Sequence, residues 1–186
     1  VIVGRRRSGK SWAARYIMWH LRHRFPAGIV VTGTKLNQFW SNMVPEEYIH
    51  NVSHMNEALD SLYKRQKFIL KNPQLGIDPR CFVILDDVLS DPMKIRYSKA
   101  LQRAFTDGRH YGVFTLITTQ DPRGIPPALR ENTDLAICFR QFQDSRKEIL
   151  GDDWLSYIIN KKLRKDLLWD QTKQLNPDGS VFIHQE

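Results

Sequence analysis

The chain has few cysteines: Cys81 and Cys138 are the two among its 186 residues. Both lie inside apolar runs, so we expect buried thiols in a protein of a reducing compartment. Neither belongs to a C-x-x-C motif, and no Cys/His spacing in the chain is typical of zinc ligands. The scarcity argues against a disulfide framework and against a zinc module.

Long apolar runs are absent as well. No stretch approaches the roughly 20 apolar residues that a helix needs to cross a bilayer, and no signal peptide opens the chain. We therefore expect no membrane partner. The first residue, Val1, already lies in a predicted strand, so we expect the chain to be truncated at its N-terminus. A chain of 186 residues without repeats or low-complexity tracts fits one domain over residues 1–186.

Acidic residues are outnumbered by basic ones, 20 to 28, which gives a formal net charge of +8. A basic surplus of this size favours a polyanionic partner, because binding releases counterions from the phosphates. Hydrophobic residues make up 41% of the chain, an ordinary share for a globular protein with a core. Composition alone therefore indicates a globular protein for which a nucleic acid is a candidate partner.

The most informative motif is a glycine loop near the start, Gly4-Arg5-Arg6-Arg7-Ser8-Gly9-Lys10-Ser11. It fits G-x-x-x-x-G-K-[ST], and it stands between an apolar β-branched run at 1–3 and a helical pattern at 12–21. In that context the backbone N–H groups and the helix N-terminus converge on a phosphate. Lys10 then reaches the β- and γ-phosphates, and the Ser11 hydroxyl can ligate Mg²⁺. ATP and Mg²⁺ are the predicted ligands.

A second acidic element follows the apolar run at 81–85, which ends in Asp86 and Asp87. Unbroken apolar runs are typical of central parallel strands, and Asp86 at the strand end suits the carboxylate that orients Mg²⁺. Asp87 points elsewhere and is a candidate to polarise the attacking water. Two other interpretations of Asp87 stay open, a helix cap and a solvated loop acid.

The apolar run at 113–118 leads into Thr119 and Gln120. A polar side chain at this strand end can hydrogen-bond the γ-phosphate or the attacking water, which makes Gln120 the candidate sensor of hydrolysis. The alternative is an ordinary strand-end glutamine. We favour the sensor because the glycine loop and the acid strand are both present.

Arginines supply further candidates. Arg109 lies in a glycine-bounded turn at 108–112, from which it can reach across a subunit boundary and stabilise transition-state charge in a neighbouring site. Arg5, Arg6 and Arg7 of the glycine loop have three candidate roles: an arginine finger in cis, electrostatic support for the triphosphate, or contacts to DNA phosphates. All three roles stay open at this point.

Strands and helices alternate along the chain. Further strands are predicted at 28–33, 135–139 and 181–183, and further helices at 55–70 and from Asp91 to about Asp107. After Gln141 the pattern is helical and strongly charged, with a basic cluster at 161–165. This alternation predicts an α/β fold with right-handed crossovers, a mainly parallel sheet and helices on both faces.

Together these motifs resemble the FtsK–HerA superfamily of P-loop ATPases. The glycine loop, the acid strand at 84–87, Gly108-Arg109-His110 and the run at 117–120 occur in the order seen in that superfamily. The stretch Pro126-Pro127-x-x-Arg130-x-Asn132 looks like the branch of DNA-packaging ATPases of large double-stranded DNA viruses, of the poxvirus, giant-virus and virophage type. The likeness covers residues 1–139 and is looser from Gln141 onward.

The resemblance implies a P-loop NTPase fold in which the Gln120 strand lies between the phosphate-loop strand and the Asp86 strand. It also implies an oligomeric ring around duplex DNA, which hydrolyses ATP to ADP and phosphate and pumps a viral genome into a capsid. Residue-to-residue matching assigns nucleotide and metal to Lys10 and Ser11, Mg²⁺ to Asp86, γ-phosphate sensing to Gln120 and a role in trans to Arg109.

The chain departs from the superfamily at two places. Glutamate is usual where Asp87 stands, so either the shorter acid suffices through a second water or the base lies elsewhere, with Asp91 a candidate. The glycine loop of the superfamily is also less basic than Arg5-Arg6-Arg7.

Partners and location are further expectations from the resemblance. We expect double-stranded DNA bound without sequence preference through basic loops, with capsid or portal-vertex proteins as additional candidates. The location is then the virion or the host-cell site of virus assembly. The basic cluster at 161–165 is either part of that DNA surface or a solvated helix face. Alternative functions are a DNA pump for conjugation or segregation, a small-molecule kinase, and a nucleotide-switched assembly protein without motor activity.

Overall fold

The computed structural model describes residues 1–33, 38–88, 98–139 and 180–184. Seven strands and four α-helices lie in these ranges. The strands are β1 (Ile2–Val3), β2 (Ala27–Thr32), β3 (Ile49–Asn51), β4 (Cys81–Asp86), β5 (Val113–Thr119), β6 (Leu135–Phe139) and β7 (Ser180–His184). The helices are α1 (Lys10–Leu21), α2 (Met55–Lys71), α3 (Lys99–Thr106) and the single turn α4 (Pro127–Arg130).

The seven strands form one sheet in the order β3-β2-β4-β5-β1-β6-β7. Strands β1 to β6 run parallel, and β7 pairs antiparallel with β6. Gln120 directly follows β5, which lies between β1, the strand before the glycine loop, and β4, the strand that ends in Asp86. The predicted strand order and the mainly parallel sheet are therefore confirmed.

The register of the central strands places their carboxyl ends side by side at one edge of the sheet. Asp86 of β4 pairs with Thr118 of β5, and Thr119 of β5 pairs with Val3 of β1. Open parallel sheets bind their ligands in the crevice outside the carboxyl ends of the strands. The glycine loop, Asp86 and Gln120 all lie at these ends, so the sheet itself brings these three predicted parts of the site to one edge.

Apolar cores cover both faces of the sheet. Side chains alternate along β4, so that Val83 and Leu85 join one core cluster and Ile84 joins the other. The first cluster includes helix residues Leu59, Leu62 and Leu101, and the second includes Ala14 and Met18. Each large aliphatic side chain buried in this way contributes about 1.5–3 kcal/mol. The prediction of helices on both faces is confirmed, and it explains why the β4 run is apolar without interruption.

Two parts of the fold differ from the sequence predictions. Strand β3 has no predicted counterpart, because three residues with one buried side chain, Ile49, show no periodicity. The helix predicted over Asp91–Asp107 is not continuous, since Ser98 has extended backbone and α3 begins after it. The Ser98 hydroxyl accepts a hydrogen bond from the Leu101 N–H at 3.1 Å, which caps α3 at that point.

Other predictions fall outside the described residues. These are the charged helical pattern after Gln141 with its basic cluster at 161–165, and Asp91, the alternative base. Among the helices that the structure does describe, none has both the length and the apolar character needed to cross a bilayer.

Candidate active site

The glycine loop connects β1 to α1 and is tied to the sheet at its first residue. The Gly4 N–H donates to the Thr119 carbonyl at the end of β5, over 3.1 Å. A Cβ on Gly4 would lie 2.7 Å from both the Phe139 Cβ and the Ser8 Oγ, so no larger residue fits. Gly9 has a φ of 92°, a left-handed conformation that favours glycine. The backbone path therefore requires both glycines of the motif.

The start of α1 points unsatisfied donors into the loop. The Gly9 carbonyl accepts the first helical hydrogen bond, from the Ala13 N–H at 2.9 Å, and no side chain caps the helix. Its free N–H groups and the positive end of its dipole therefore face the loop interior. The buried Ser8 hydroxyl has no hydrogen-bond partner within the described part of the chain. Both features suit an anion held in the loop.

Lys10 is buried in the same loop, with 7% of the residue exposed. Its Nζ donates to the Arg5 carbonyl across the loop at 2.9 Å. Burial lowers the pKa of Lys10 below its ordinary value, and the negative charges of Asp87 and then Asp86 partly offset that effect. An ammonium group has three donors, so the contact with Arg5 leaves two for a ligand.

Asp86 ends β4, and its carboxylate is buried but hydrogen-bonded on both oxygens. Oδ1 accepts from the Ser11 hydroxyl at 2.8 Å and from the Thr118 hydroxyl at 2.7 Å. Oδ2 accepts from the indole N–H of Trp40 at 3.0 Å. The contact between Ser11 and Asp86 spans 75 positions of sequence. The structure thus brings together the two side chains that the sequence nominates for Mg²⁺.

Asp87 and Gln120 are also in direct contact. Asp87 follows β4 with a φ of 54°, a left-handed conformation that aspartate tolerates better than most residues. Its N–H donates to the Thr118 hydroxyl oxygen at 2.9 Å, and its Oδ2 accepts from Gln120 Nε2 at 2.6 Å. The candidate base and the candidate γ-phosphate sensor therefore form one hydrogen-bonded unit.

One cleft of about 450 Å³ adjoins most of these groups. Its lining includes Arg6, Arg7, Ser8, Gly9, Lys10, Ser11, Asp86, Asp87 and Gln120, together with the aromatic residues Trp12, Phe39 and Trp40. A larger cleft of about 890 Å³ lies between the start of β2 and α2, but none of the motif residues line it. The motif residues therefore line the smaller, more polar cleft.

The donor set of this cleft suits Mg²⁺. Proteins usually hold Mg²⁺ through one or two carboxylates together with substrate phosphates and waters, rather than in an all-protein cage. Asp86 and Ser11 provide an adjacent carboxylate and hydroxyl. No group of three His, Cys, Asp or Glu side chains that could hold a metal occurs among the described residues. The residues present thus fit a Mg²⁺ ion that is shared with a nucleotide.

Arg109 is not brought to this cleft. It lies in a 3₁₀ turn, Gly108–Tyr111, which precedes β5 and therefore belongs to the opposite edge of the sheet. Its guanidinium is exposed and pairs with the exposed Asp134 carboxylate. This position does not allow Arg109 to act in the site of its own chain, whereas it is compatible with the predicted role in trans.

Sequence relatives come from large DNA viruses. The chain is 34% identical over 158 residues to an uncharacterized protein of Invertebrate iridescent virus 6, and this alignment covers 84% of the chain and 58% of that protein. It is 32% identical over 162 residues to an uncharacterized protein of Acanthamoeba polyphaga mimivirus, covering 83% and 56%. The chain thus spans a little over half the length of these relatives. No protein-family model matches it.

Solved structures share the overall fold described above. The genome packaging NTPase B204 from Sulfolobus turreted icosahedral virus 2, in complex with AMP, matches with a TM-score of 0.64 at 18% identity, covering 98% of this chain and 90% of that chain. The pCW3 conjugation coupling protein TcpA with ATPγS matches with a TM-score of 0.62 at 18% identity, covering 89% and 53%. The chain has the mainly parallel P-loop NTPase fold of these proteins. The proteins that share the fold are ATPases of the FtsK–HerA type, which agrees with the resemblance drawn from the motifs.

Within this P-loop NTPase fold, the sequence predictions missed two side chains that line or support the candidate site. Thr118 lies on β5, two residues before Gln120. Side chains two apart along an extended chain share a face, so the position of Gln120 was a usable signal for Thr118. Trp40 lies in an irregular segment, 46 positions from the Asp86 carboxylate that it contacts. No local pattern in the sequence marks Trp40 as part of the site.

Proposed function

We propose that this chain is an ATPase that hydrolyses ATP to ADP and phosphate in the cleft between the glycine loop and Asp86. The observation that carries the proposal is the hydrogen bond of 2.8 Å between Ser11 and Asp86, because it unites the phosphate-binding and metal-binding elements. Nucleotide binding by proteins of the same fold supports it, since B204 is known with AMP and TcpA with ATPγS.

The residues of the cleft divide the binding of a nucleotide among them. The N–H groups of the loop, the Ser8 hydroxyl and the Lys10 ammonium bind the β- and γ-phosphates. Arg6 and Arg7, which are exposed and line the cleft, add positive charge around the triphosphate. Ser11 and Asp86 hold Mg²⁺, which when bound neutralises charge on the phosphate oxygens.

Asp87 is the group proposed to take the proton of the attacking water, with Gln120 as the sensor. The amide of Gln120 donates to Asp87 at 2.6 Å, and the same amide can donate to a γ-phosphate oxygen instead. One side chain thus links the base to the presence of the phosphate. Aspartate is one methylene shorter than the usual glutamate, so a second water relays the proton. Asp91, the other candidate base, lies outside the described residues.

We further propose that hydrolysis drives double-stranded DNA into a viral capsid. Three observations support this function: the relatives in large DNA viruses, the fold shared with a genome packaging NTPase, and the net charge of +8. Basic loops would grip the phosphates without reading bases. Capsid or portal-vertex proteins are the further partners, at the virion or the host-cell site of assembly.

The proposed working form is a ring of identical copies in which Arg109 reaches the cleft of a neighbour. Its exposed guanidinium is held by a surface ion pair with Asp134, and such pairs contribute little stability, so a phosphate can replace the carboxylate. Mixing an Arg109→Ala chain with a Lys10→Ala chain tests this role. A residue in trans restores turnover in the mixture, because some interfaces then contain both side chains, whereas a residue in cis restores none.

The central experiment measures phosphate release with and without duplex DNA at low and at high salt. We expect duplex DNA to stimulate turnover, and the stimulation to weaken as salt rises, because phosphate contacts release counterions. Lys10→Ala should abolish turnover, and Lys64→Ala on the exposed face of α2 is the matched control. A rate of ATP turnover that is the same with and without DNA at both salt concentrations contradicts the proposed DNA translocation. Transfer of phosphate to an acceptor other than water identifies a kinase instead.

A further inference from the structure

A buried tryptophan completes the hydrogen bonding of Asp86. Trp40 is 3% exposed and belongs to the chain segment that connects β2 to β3. Its indole Nε1 donates to the Asp86 Oδ2 at 3.0 Å. The ring packs into the core cluster on the α1 face of the sheet, together with Ala14 and Val30. None of the sequence motifs includes this residue.

We propose that Trp40 is a positioning residue for the Asp86 carboxylate and thereby sets how tightly the site binds Mg²⁺ with a nucleotide. The inference rests on the proposed ATPase function, because that function gives Asp86 its metal. An indole N–H is a donor only, so Trp40 orients the carboxylate without competing as a ligand. Partners of this kind fix the direction of metal-binding side chains.

The two oxygens of Asp86 have different kinds of partner. Oδ1 receives the hydroxyls of Ser11 and Thr118, and Oδ2 receives the indole. The terminal torsion of aspartate is broad and roughly two-fold, so it does not by itself decide which oxygen faces Ser11. Hydroxyls rotate and can accept as well as donate. The indole, which can only donate, holds Oδ2 and so helps to keep Oδ1 toward Ser11 when the Ser11 hydroxyl turns to another ligand.

Neighbouring contacts hold the indole ring in place. The Trp40 carbonyl accepts from the N–H groups of Met43 and Val44, each at 2.9 Å. The Trp40 ring meets Phe39 edge to face with centroids 5.1 Å apart, and Phe39 meets Trp12 in the same way at 5.2 Å. This row of rings runs from the buried carboxylate to a residue at the rim of the cleft. A donor fixed in this way is preorganised for its acceptor.

The first test compares Trp40→Phe with Trp19→Phe, an exposed tryptophan of α1 outside the cleft lining. Calorimetry measures Mg²⁺ binding in the presence of a non-hydrolysable ATP analogue, and analogue binding without metal. We expect Trp40→Phe to weaken Mg²⁺ binding about 10-fold or more, while binding of the metal-free analogue is unchanged. Trp19→Phe should match the wild-type chain in both measurements.

The second test uses indole ¹⁵N NMR of the ligand-free protein, which contains five tryptophans. The Trp40 resonance, assigned through Trp40→Phe or through correlation with the backbone resonances of Trp40, should move upfield in Asp86→Asn, because a charged acceptor has become neutral. The Trp19 resonance should not move. This measurement needs neither nucleotide nor a folded Trp40 variant.

The outcomes separate this inference from the proposed function. A wild-type chain that binds no Mg²⁺-nucleotide contradicts the ATPase, while an upfield shift of the indole resonance still supports the contact. Equal Mg²⁺ affinity in Trp40→Phe and Trp19→Phe overturns the positioning role. So does a Trp40 resonance that is indifferent to Asp86→Asn.

Discussion

The two edges of the sheet both bury polar side chains, but with different partners. At the carboxyl edge, Asp86 accepts hydrogen bonds from the side chains of Ser11, Thr118 and Trp40. At the amino edge, the fully buried Gln66 of α2 donates to the backbone carbonyls of Pro79 and Tyr111, the second at 2.8 Å. Side-chain hydroxyls can exchange one partner for another, whereas the partly buried carbonyls of Pro79 and Tyr111 depend more on the donor that they have.

The difference teaches that burial of a polar group does not identify a functional site by itself. A network of side chains at the mouth of a cleft can rearrange around a ligand. A glutamine that bridges two backbone carbonyls has a structural role, because its loss leaves acceptors unsatisfied. We therefore expect substitutions at the carboxyl edge to change turnover, and substitutions at the amino edge to change stability.

Asp87→Asn should have the largest effect of the substitutions that test this comparison. Asparagine keeps the left-handed backbone and a contact with Gln120, but it cannot take a proton. We expect turnover to fall by about 10²–10⁴ with nucleotide binding retained. Phosphate release and binding of an ATP analogue measure the two effects, and Asp60→Asn on the exposed face of α2 is the control. Unchanged turnover would mean that the base lies elsewhere or that the chain is a nucleotide switch.

Gln66→Leu should have the opposite signature. The apolar side chain leaves two partly buried carbonyls without this donor, so the free energy of unfolding should fall by about 1–3 kcal/mol. Turnover per folded molecule should stay at the wild-type value. Denaturant unfolding and phosphate release provide the two numbers, with the exposed Gln74→Leu as control. Lost turnover in a stably folded Gln66→Leu chain would show that the two edges are coupled.

The buried thiols extend the comparison of the two edges to a single strand, because β4 begins at Cys81 at the amino edge and ends at Asp86 at the carboxyl edge. Burial raises the pKa of Cys81 to about 11 and that of Cys138 to about 12, from an ordinary value of 9.0. Above pH 9.0 an unfolded chain releases these protons while the folded chain retains them. The contribution of the thiols to the free energy of unfolding should therefore be fully present below pH 9.0 and should be lost as the pH rises towards 11 and 12.

Urea unfolding at a series of alkaline pH values measures this smaller effect. Cys81→Ala and Cys138→Ala should each make the fall in stability less steep, because the group that gains protons on folding is gone. An unchanged slope in both variants would show that the thiols are not the source. Exposed cysteines would instead react with a thiol reagent in the folded chain, which we do not expect.

Different parts of the site were predictable from the sequence to different degrees. The glycine loop was predictable because the conformations of consecutive residues, with the left-handed Gly9 among them, build the anion cradle locally. Asp86 was predictable because it ends an apolar run long enough for a covered strand. The start of α3 after Ser98 was not, since it depends on one capping hydroxyl within a sequence pattern that is compatible with helix on both sides.

By itself, the sequence determined the class of fold, the conformation of the glycine loop and the identity of the strand-end carboxylates, because each depends on neighbours along the chain. Only the tertiary structure decided which distant groups meet: Ser11 with Asp86 across 75 positions, and Trp40 with Asp86 across 46. It also decided that Arg109 lies at the far edge. Strand order and crossovers set these relations, and no local periodicity records them.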